Sequence, residues 1–404
     1  MKNKKLFVGV LIITIIIASV GCTRTKNVVL DSEKNTTETS TETPTEPPTE
    51  TPSVPTLDEQ VESIINEMTL HEKVCQMFVV APEKLMESGT VTYVDDNVRN
   101  KLFEYPVAGF IFFAGNLVEI EQTKTMLNLL QNYSLEINGL PFYTCVDEEG
   151  GRVARIGNNP NFGVTKIQAM SNIKTANEAY DAGLSIGKYL NDLGFNFNFA
   201  PDADVITNPL NSVIGDRSFG SDGDIVSYFA VEYAKGLQSK NVLSTFKHFP
   251  GHGATEGDTH EGFAYTSKSL DELMNAELKP FVAAKENGID AIMVAHISVP
   301  TVLGDNTPCT LSKYMITDVL RNQIGFEGLI ITDALGMGAI ANEYEADEAA
   351  VKAILAGNDL LLMPEDFYVA YDGVMSAISN GVITEERLDE SLRRIIKSKI
   401  LLKM

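Results

Sequence analysis

The sequence has little cysteine, and the spacing of its cysteines does not suggest a cysteine-based structure. Only four occur in 404 residues, and no two form a CxxC pair. Cys22 lies near the amino terminus, so an odd number, three, remains for the rest of the chain. Neither a disulfide framework nor a cysteine zinc site is indicated. We therefore expect Cys75, Cys145 and Cys309 to be buried, unreactive thiols.

Basic residues are also scarce relative to acidic ones. The chain has 32 lysines and arginines against 55 aspartates and glutamates, which gives a formal net charge of −23. A surface of this sign disfavours nucleic acid as a partner and favours solubility. The GxGxxG pattern of dinucleotide-binding turns is missing after the first strand pattern, residues 77–80. We expect no cofactor.

The amino-terminal apolar run, residues 6–20, is too short to span a bilayer comfortably. It follows three lysines and ends in ASVGC, an arrangement typical of an export signal. That ending resembles a bacterial lipobox, with Ser19 in place of the usual leucine. We expect residues 1–22 to be a signal peptide and Cys22 to carry a lipid that anchors the chain outside the cell membrane. Secretion after a plain signal peptide is the alternative.

Residues 23–56 are dominated by threonine, glutamate and proline. A segment with so little apolar surface cannot offset the entropy lost on ordering, so we expect a disordered, extended tether. Residues 57–404 then form one domain that is large enough for a full core. We expect this domain to be a monomer.

From residue 57 onward, short apolar runs alternate with amphipathic helical patterns. Continuous apolar strands separated by helices indicate a parallel sheet. Eight such units favour a (β/α)₈ barrel over an open doubly wound sheet. The predicted strands are residues 77–80, 109–113, 141–146, 195–199, 243–246, 291–295, 329–332 and 360–363.

Polar segments follow most of these strands. DEEGGRVAR follows the third strand, APDADV the fourth, KHFPGHGATEGDTH the fifth, HISVP the sixth and DALGMG the seventh. Catalytic groups of a (β/α)₈ barrel come from the carboxyl ends of the strands and the loops beyond them. These segments are therefore predicted to line one pocket.

The segment 247–260 holds three of the five histidines, and its proline and glycines exclude a continuous helix. Asp258 and His260 are two residues apart and can form a carboxylate–imidazole pair that leaves the ring able to donate a proton. A solvated loop with a stray histidine is the alternative. Asp333 directly follows the seventh strand and can be a nucleophile, a metal ligand or a helix N-cap.

A metal site is a further alternative for this segment. His248 and His252 are four residues apart, but Pro250 and Gly251 between them prevent the helix that an HExxH zinc site needs. Ligation by an irregular loop stays open, with these ligands: His248, His252, Asp258 and His260.

Five blocks of the sequence resemble, in the same order, the β-N-acetylglucosaminidase (β-N-acetylhexosaminidase) branch of glycoside hydrolase family 3. The resemblance extends over nearly all of residues 57–404. It implies a (β/α)₈ barrel and retaining, exo-acting hydrolysis of terminal β-linked N-acetylhexosamine from cell-wall fragments or chitin oligosaccharides. The blocks are VDEEGGRVAR (146–155), APDADV (200–205), VIGDRSFG (213–220), KHFPGHGATEGDTH (247–260) and TDALGMGAI (332–340).

The resemblance also implies roles for particular residues. Asp333 corresponds to the nucleophile, His260 to the acid/base and Asp258 to its partner, with no metal ion. A glycine-flanked loop can swing the imidazole into place after substrate binds. The residues implied to hold the sugar are Asp147, Arg155, Arg217, Lys247 and His248.

Two rival functions remain open. One is a tethered sugar-binding lipoprotein on an inactive barrel, which the presence of Asp258, His260 and Asp333 argues against. The other is a β-glucosidase of the same family, which the Asp-x-His loop argues against. Hydrolysis and phosphorolysis are both compatible with these residues.

Overall fold

The computed structural model describes residues 55–402 apart from residue 261. The predicted signal peptide, the tether through residue 54 and the proposed lipid site Cys22 lie outside these residues. In the described part of the chain, no helix is both long and apolar enough to cross a membrane.

Eight strands occupy the positions of the eight predicted ones. They pair in two sheets, of order β4-β3-β2-β1-β8 and β5-β6-β7, and every pairing is parallel. The predicted parallel α/β architecture is therefore confirmed. The strands are β1 (Phe78–Val80), β2 (Gly109–Phe112), β3 (Tyr143–Val146), β4 (Phe197–Asn198), β5 (Thr245–Phe249), β6 (Ala291–Val294), β7 (Leu329–Thr332) and β8 (Leu361–Leu362).

Single parallel bridges connect the two sheets on both sides. Next to β4 and β5, Phe197 bridges to Leu243, and next to β7 and β8, Ile331 bridges to Leu360. The N–H of Asn198 donates to the carbonyl of Leu243 at 2.9 Å, so backbone hydrogen bonding continues across the first junction. The result is a strongly curled parallel sheet.

Helices separate successive strands, as the alternating pattern predicts. Several begin with a capping box, for example Thr69 with Glu72 and Ser269 with Glu272. The helices are Leu57–Glu67, Leu70–Cys75, Pro82–Met86, Asp96–Glu104, Ile120–Asn138, Ala176–Leu193, Gly223–Gln238, Leu270–Asn275, Lys279–Glu286, Pro300–Leu303, the π-helix Tyr314–Ile324, Gly338–Ala341, Ala346–Ala356, Phe367–Ser379 and Glu385–Leu401.

Apolar side chains are buried on both faces of the strands. In β1, Phe78 and Val80 pack in the large cluster shared with the helices, whereas Val79 packs in a second cluster made mostly of strand residues. Two buried faces explain why these strands read as continuous apolar runs. The three cysteines are buried and free, as expected, and burial raises the pKa of each thiol.

Candidate active site

A cavity of about 540 Å³ lies at the carboxyl ends of the strands. Its walls come from the loops after β3, β4, β5, β7 and β8, as expected for a site built on a parallel sheet. All eight residues singled out from the sequence line it, namely Asp147, Arg155, Arg217, Lys247, His248, Asp258, His260 and Asp333.

Asp333 is the first residue after β7, and its side chain is partly exposed to the cavity. Its N–H donates to the Val294 carbonyl at 2.9 Å, and its Oδ1 accepts from the Ala334 N–H at 2.8 Å. Burial raises the pKa of Asp333, but the positive charge that His296 gains in acid, the Ala334 N–H and Lys247 outweigh burial and hold the pKa below its usual value. The carboxylate is therefore ionised at neutral pH. The N-cap alternative is wrong, because the next helix begins at Gly338.

Asp258 and His260 form the predicted pair at the tip of a hairpin. Two backbone hydrogen bonds of 3.0 and 3.1 Å between Glu256 and Tyr265 close the hairpin base. Asp258 Oδ1 accepts from the His260 N–H at 2.9 Å and lies 2.7 Å from Nδ1. Burial raises the pKa of Asp258, but the bonds to His260 outweigh it and lower the pKa. With Nδ1 bound to a carboxylate, Nε2 is the ring nitrogen left for a ligand.

The hairpin tip is held to the rest of the site by Thr259, which is 1% exposed. Its hydroxyl lies 3.2 Å from His252 Nε2, and its carbonyl accepts from the Ala339 N–H at 3.1 Å. His252 Nδ1 is in turn 2.9 Å from the Thr255 hydroxyl. The residue between Asp258 and His260 is thus bonded to the loops after both β5 and β7.

Glu149 is the central anion of a buried charge cluster. It is 1% exposed, and its Oε1 lies 2.7 Å from Lys247 Nζ and 2.8 Å from Arg217 Nη2, while Oε2 accepts from Arg217 Nε at 2.9 Å. Burial raises its pKa, but the two cations outweigh burial and hold the pKa well below its usual value. Burial lowers the pKa of Lys247, yet Asp147 and Glu149 keep it raised. Glu149 and Lys247 are therefore both charged.

His248 is oriented by a second pair of acids. Its Nδ1 lies 2.7 Å from Asp204 Oδ2, so Nδ1 carries the proton and Nε2, 3.4 Å from Arg217 Nη2, is the acceptor. Asp202 Oδ2 lies 3.4 Å from the same Arg217 nitrogen without hydrogen-bond geometry. Burial and the adjacent Asp204 raise the pKa of Asp202 well above its usual value.

The loop after β3 is shaped by Glu148. Its carboxylate accepts the backbone N–H groups of residues 155–157 at 2.6, 2.9 and 2.7 Å and the Tyr189 hydroxyl at 2.7 Å. These bonds hold Arg155 beside the cavity, with Nη2 3.5 Å from Asp147 Oδ2. Within the described residues, the buried Arg155 Nε has no hydrogen-bond partner.

Sequence comparison identifies the family. Residues 69–398 match the glycosyl hydrolase family 3 N terminal domain. The chain belongs to glycosyl hydrolase family 3. Beta-hexosaminidase A of Pseudoalteromonas piscicida is 32% identical over 335 residues, which cover 76% of this chain and 56% of that protein. The beta-hexosaminidase of Hydrogenovibrio crunogenus is 34% identical over 311 residues, which cover 74% and 83%.

A solved relative shares the fold. The family 3 beta-N-acetylglucosaminidase from Paenibacillus sp. str. FPU-7 superposes with a TM-score of 0.77 at 36% identity, over 82% of this chain and 62% of that chain. The present chain thus spans little more than half of the Pseudoalteromonas relative and under two thirds of this structure.

One group with metal-ligand spacing occurs among residues 55–402 without residue 261. It comprises Asp202, Asp204 and His248, whose ligand atoms lie within 4.8 Å of one another. Of the loop ligands considered from the sequence, only His248 belongs to it. Its atoms are already engaged by the Asp204–His248 bond, and Arg217 lies 3.4 Å from Asp202 Oδ2. The resident guanidinium of Arg217 and the raised pKa of Asp202 disfavour a cation here.

Sequence reasoning missed the residues that orient the predicted ones. Glu148, Glu149, Asp202, Asp204 and Thr259 lie inside the quoted family blocks, yet none was singled out. A signal was available for Glu148 and Glu149, because they directly follow the predicted site residue Asp147 and an unpaired buried charge is too costly to persist. Residue type and spacing did not distinguish Asp202, Asp204 and Thr259.

Proposed function

We propose that this family 3 member is a retaining, exo-acting β-N-acetylglucosaminidase. The observation that carries the proposal is the convergence of a partly exposed, ionised Asp333 and the Asp258–His260 pair on one cavity. The names of the relatives, beta-hexosaminidase and beta-N-acetylglucosaminidase, support the choice of sugar.

In the proposed first step, Asp333 attacks the anomeric carbon as the bond to the leaving oxygen breaks. The protonated ring of His260 gives its Nε2 proton to that oxygen, and the product is a covalent glycosyl–aspartate. In the second step, neutral His260 removes a proton from water, which attacks the same carbon and releases Asp333. Asp258 holds the ring by Nδ1 in both steps.

The sugar is proposed to be held by the charged residues on the opposite wall. Among Asp147, Arg155, Arg217, Lys247 and His248, the first two have the most accessible side chains, at 21% and 27% exposure, and can bond ring hydroxyls or the acetamido group directly. Lys247, Arg217 and His248 are nearly buried, so they offer only their tips to the cavity. Fixed charges of this kind orient a substrate without reorganising.

The complete (β/α)₈ barrel is also part of this proposal. Its support is the arrangement of eight parallel strands with bridges at both sheet junctions, together with family membership. We further propose that the protein is a monomer, exported and anchored by a lipid on Cys22 at the extracytoplasmic face of the membrane. If the Cys22→Ala protein moves from the membrane fraction to the soluble fraction, the lipid anchor is supported. An unchanged distribution of the protein between the two fractions would contradict it.

The test of activity is turnover of a panel of p-nitrophenyl β-glycosides. We expect the N-acetylglucosaminide to react far faster than the glucoside, and equal or reversed rates would favour the β-glucosidase alternative. If phosphate replaces water as the acceptor, a sugar phosphate will appear among the products.

Two substitutions assign the roles. Asp333→Ala is expected to abolish turnover of both the p-nitrophenyl substrate and a disaccharide, because the nucleophile is needed for each. His260→Ala should impair the disaccharide more than the activated phenol, by a factor on the order of 10²–10⁴. Equal loss on both through KM alone would make His260 a binding residue.

A further inference from the structure

His296 is a buried histidine near the nucleophile that has no part in the proposed mechanism. It lies two residues after the end of β6, is 1% exposed and is not among the described residues that line the catalytic cavity. Both nitrogens of its ring have a partner, because Nε2 lies 2.8 Å from the Ala334 carbonyl oxygen and Nδ1 lies 2.8 Å from the Thr310 hydroxyl. A ring that is bonded at both nitrogens has none left for the sugar, so any effect of His296 on the reaction is indirect.

The partners of the ring determine which nitrogen carries its proton. A carbonyl oxygen can only accept a hydrogen bond, so Nε2 of His296 carries a proton and donates it to Ala334. Burial lowers the pKa of His296 and outweighs the opposite effects of Asp333 and the Ala334 carbonyl. The ring is therefore neutral at pH 7, and Nδ1 is the acceptor in this tautomer.

The Ala334 carbonyl belongs to the turn that carries the nucleophile. The backbone of the strands holds other groups of this turn, since the Asp333 N–H donates to the Val294 carbonyl at 2.9 Å and the Leu335 N–H donates to the Leu362 carbonyl at 2.9 Å. The Ala334 carbonyl is instead held by a side chain, the imidazole ring. A substitution can therefore remove this one restraint and leave the backbone bonds in place.

The N–H of Ala334 binds the nucleophile itself. It donates to Asp333 Oδ1 at 2.8 Å, whereas Oδ2 accepts no hydrogen bond from the described residues. The N–H and the carbonyl of Ala334 are attached to the same Cα, so the imidazole that holds the carbonyl also limits rotation of the N–H. Restraint of Oδ1 leaves Oδ2 as the oxygen that is free to attack.

Resting on the proposed function, we propose that His296 is a positioning residue for the nucleophile. Its Nε2–H holds the Ala334 carbonyl, the Ala334 N–H holds Asp333 Oδ1, and Oδ2 is thereby kept directed at the anomeric carbon. Without the imidazole, the Ala334 carbonyl would lose its donor and the turn would be less restrained. A displacement of the reacting atoms by about 1 Å can lower a rate by about 10²-fold.

Three substitutions separate the hydrogen bond of His296 from the bulk of its ring. His296→Leu fills a similar volume without a donor, and His296→Asn is polar but too short to reach the Ala334 carbonyl. In His296→Gln, the amide N–H can take the place of Nε2–H. We expect the leucine and asparagine variants to lower kcat/KM about 10–100-fold and the glutamine variant to stay within about fivefold of wild type.

The loss in His296→Leu should be the same for good and poor leaving groups. Asp333 attacks every substrate, so kcat/KM for the p-nitrophenyl N-acetylglucosaminide and for N,N′-diacetylchitobiose should fall by factors that agree within about threefold. His260→Ala, in contrast, is expected to impair the disaccharide selectively. Binding of the sugar should be kept, so the inhibition constant of N-acetylglucosamine should change by less than about threefold.

His71→Leu is the matched control. Nδ1 of His71 lies 2.7 Å from the Tyr371 hydroxyl and Nε2 lies 2.8 Å from the Glu104 carbonyl oxygen, so its ring has the same two kinds of partner outside the catalytic cavity. Rates are divided by the folded fraction of each variant, measured by circular dichroism. After this correction, kcat/KM of His71→Leu should equal that of wild type.

The outcomes separate this inference from the proposed function. Equal losses in His296→Gln and His296→Asn, unchanged rates in both, or a loss confined to one substrate would overturn the positioning role. A loss that the inhibition constant of N-acetylglucosamine accounts for in full would also overturn it. The comparison of glutamine with asparagine decides the question even if His296→Leu does not fold. Failure of wild type to cleave any N-acetylglucosaminide would instead reject the proposed function.

Discussion

Replacement of Glu149 by glutamine is expected to destabilise the folded protein by about 3 kcal/mol. Glutamine keeps the shape of the side chain and removes its charge, so the perturbation is electrostatic. Glu149 is 1% exposed and bonds two cations, Lys247 and Arg217, at 2.7–2.9 Å. The variant leaves both cations buried beside an uncharged amide.

The magnitude follows from what remains around the cations. Removing one partner of a buried ion pair costs about 3–5 kcal/mol. Lys247 keeps Asp147 at 2.8 Å, which limits the loss. Asp202 reduces the loss of stability further. Burial, Asp204 and Glu149 all raise the pKa of Asp202, so removing the Glu149 charge lowers that pKa. Once the Glu149 charge is gone, Asp202 ionises more easily beside Arg217. The lower end of the range is therefore expected.

The assay is urea unfolding at pH 7, with Glu136→Gln as the matched control. Glu136 receives the same guanidinium fork, from Arg99, but on the surface, where the side chains are 55% and 37% exposed. That variant should lose no more than about 1 kcal/mol. A loss in Glu149→Gln equal to that of the control would refute the charge-cluster argument.

The pH dependence gives a second check on Glu149. Its folded pKa is depressed, so its stabilisation is present above the unfolded pKa of about 4.3 and is lost as pH falls toward the folded pKa. The gap in unfolding free energy between wild type and Glu149→Gln should therefore narrow below about pH 4.5. If this difference in unfolding free energy stays constant below about pH 4.5, the charge of Glu149 is not the cause of the difference.

Three further predictions concern the hairpin and the core. Asp258→Asn should resemble a milder His260→Ala defect, with kcat reduced for a disaccharide and kept for the p-nitrophenyl N-acetylglucosaminide; equal loss on both substrates would contradict this. Thr259→Val removes a buried hydrogen bond worth about 1–3 kcal/mol and should lower kcat for a disaccharide ~5–160-fold, and Thr259→Ser should restore it. Failure of serine to restore kcat would argue that Thr259 does not position the hairpin. Burial lowers the pKa of Lys399 to about 7, so the unfolded chain binds the extra proton above that pH. Urea unfolding at pH 7 and 9 should show wild type gaining up to about 1.4 kcal/mol per pH unit relative to Lys399→Met, whereas a flat difference would contradict the shift.

The strands were predictable where burial alone determines them and less so where the cavity begins. β7 matches its predicted bounds, residues 329–332, because all four side chains are buried and the first three are apolar. β5 begins two residues later than predicted and continues to Phe249, because Lys247 and His248 lie in the strand with their tips at the cavity. The apolar pattern therefore ends before the end of β5, where polar side chains belong to the strand.

β4 is shorter than predicted for a different reason. The pattern FNFNF predicts five residues, but regular pairing covers only Phe197–Asn198. The side chain of Asn196 replaces part of the ladder, since its Oδ1 accepts from the Thr144 N–H at 2.9 Å while its own N–H donates to the Thr144 hydroxyl at 3.1 Å. Side-chain bonds of this kind leave no trace in an apolar pattern.

The three consecutive acids after β3 show where sequence reasoning about the site stops. Asp147 reaches the cavity and Lys247, Glu148 turns to the N–H groups of residues 155–157, and Glu149 turns to the buried cations. All three are carboxylates in one block, so residue type and spacing cannot assign these different partners. The assignment depends on the direction in which the chain leaves the strand and on which cations fold against it. The resemblance to a family block points to residues that contact substrate, such as Asp147. An acid that neutralises buried cations, such as Glu149, is recognised only when its neighbours in space are known.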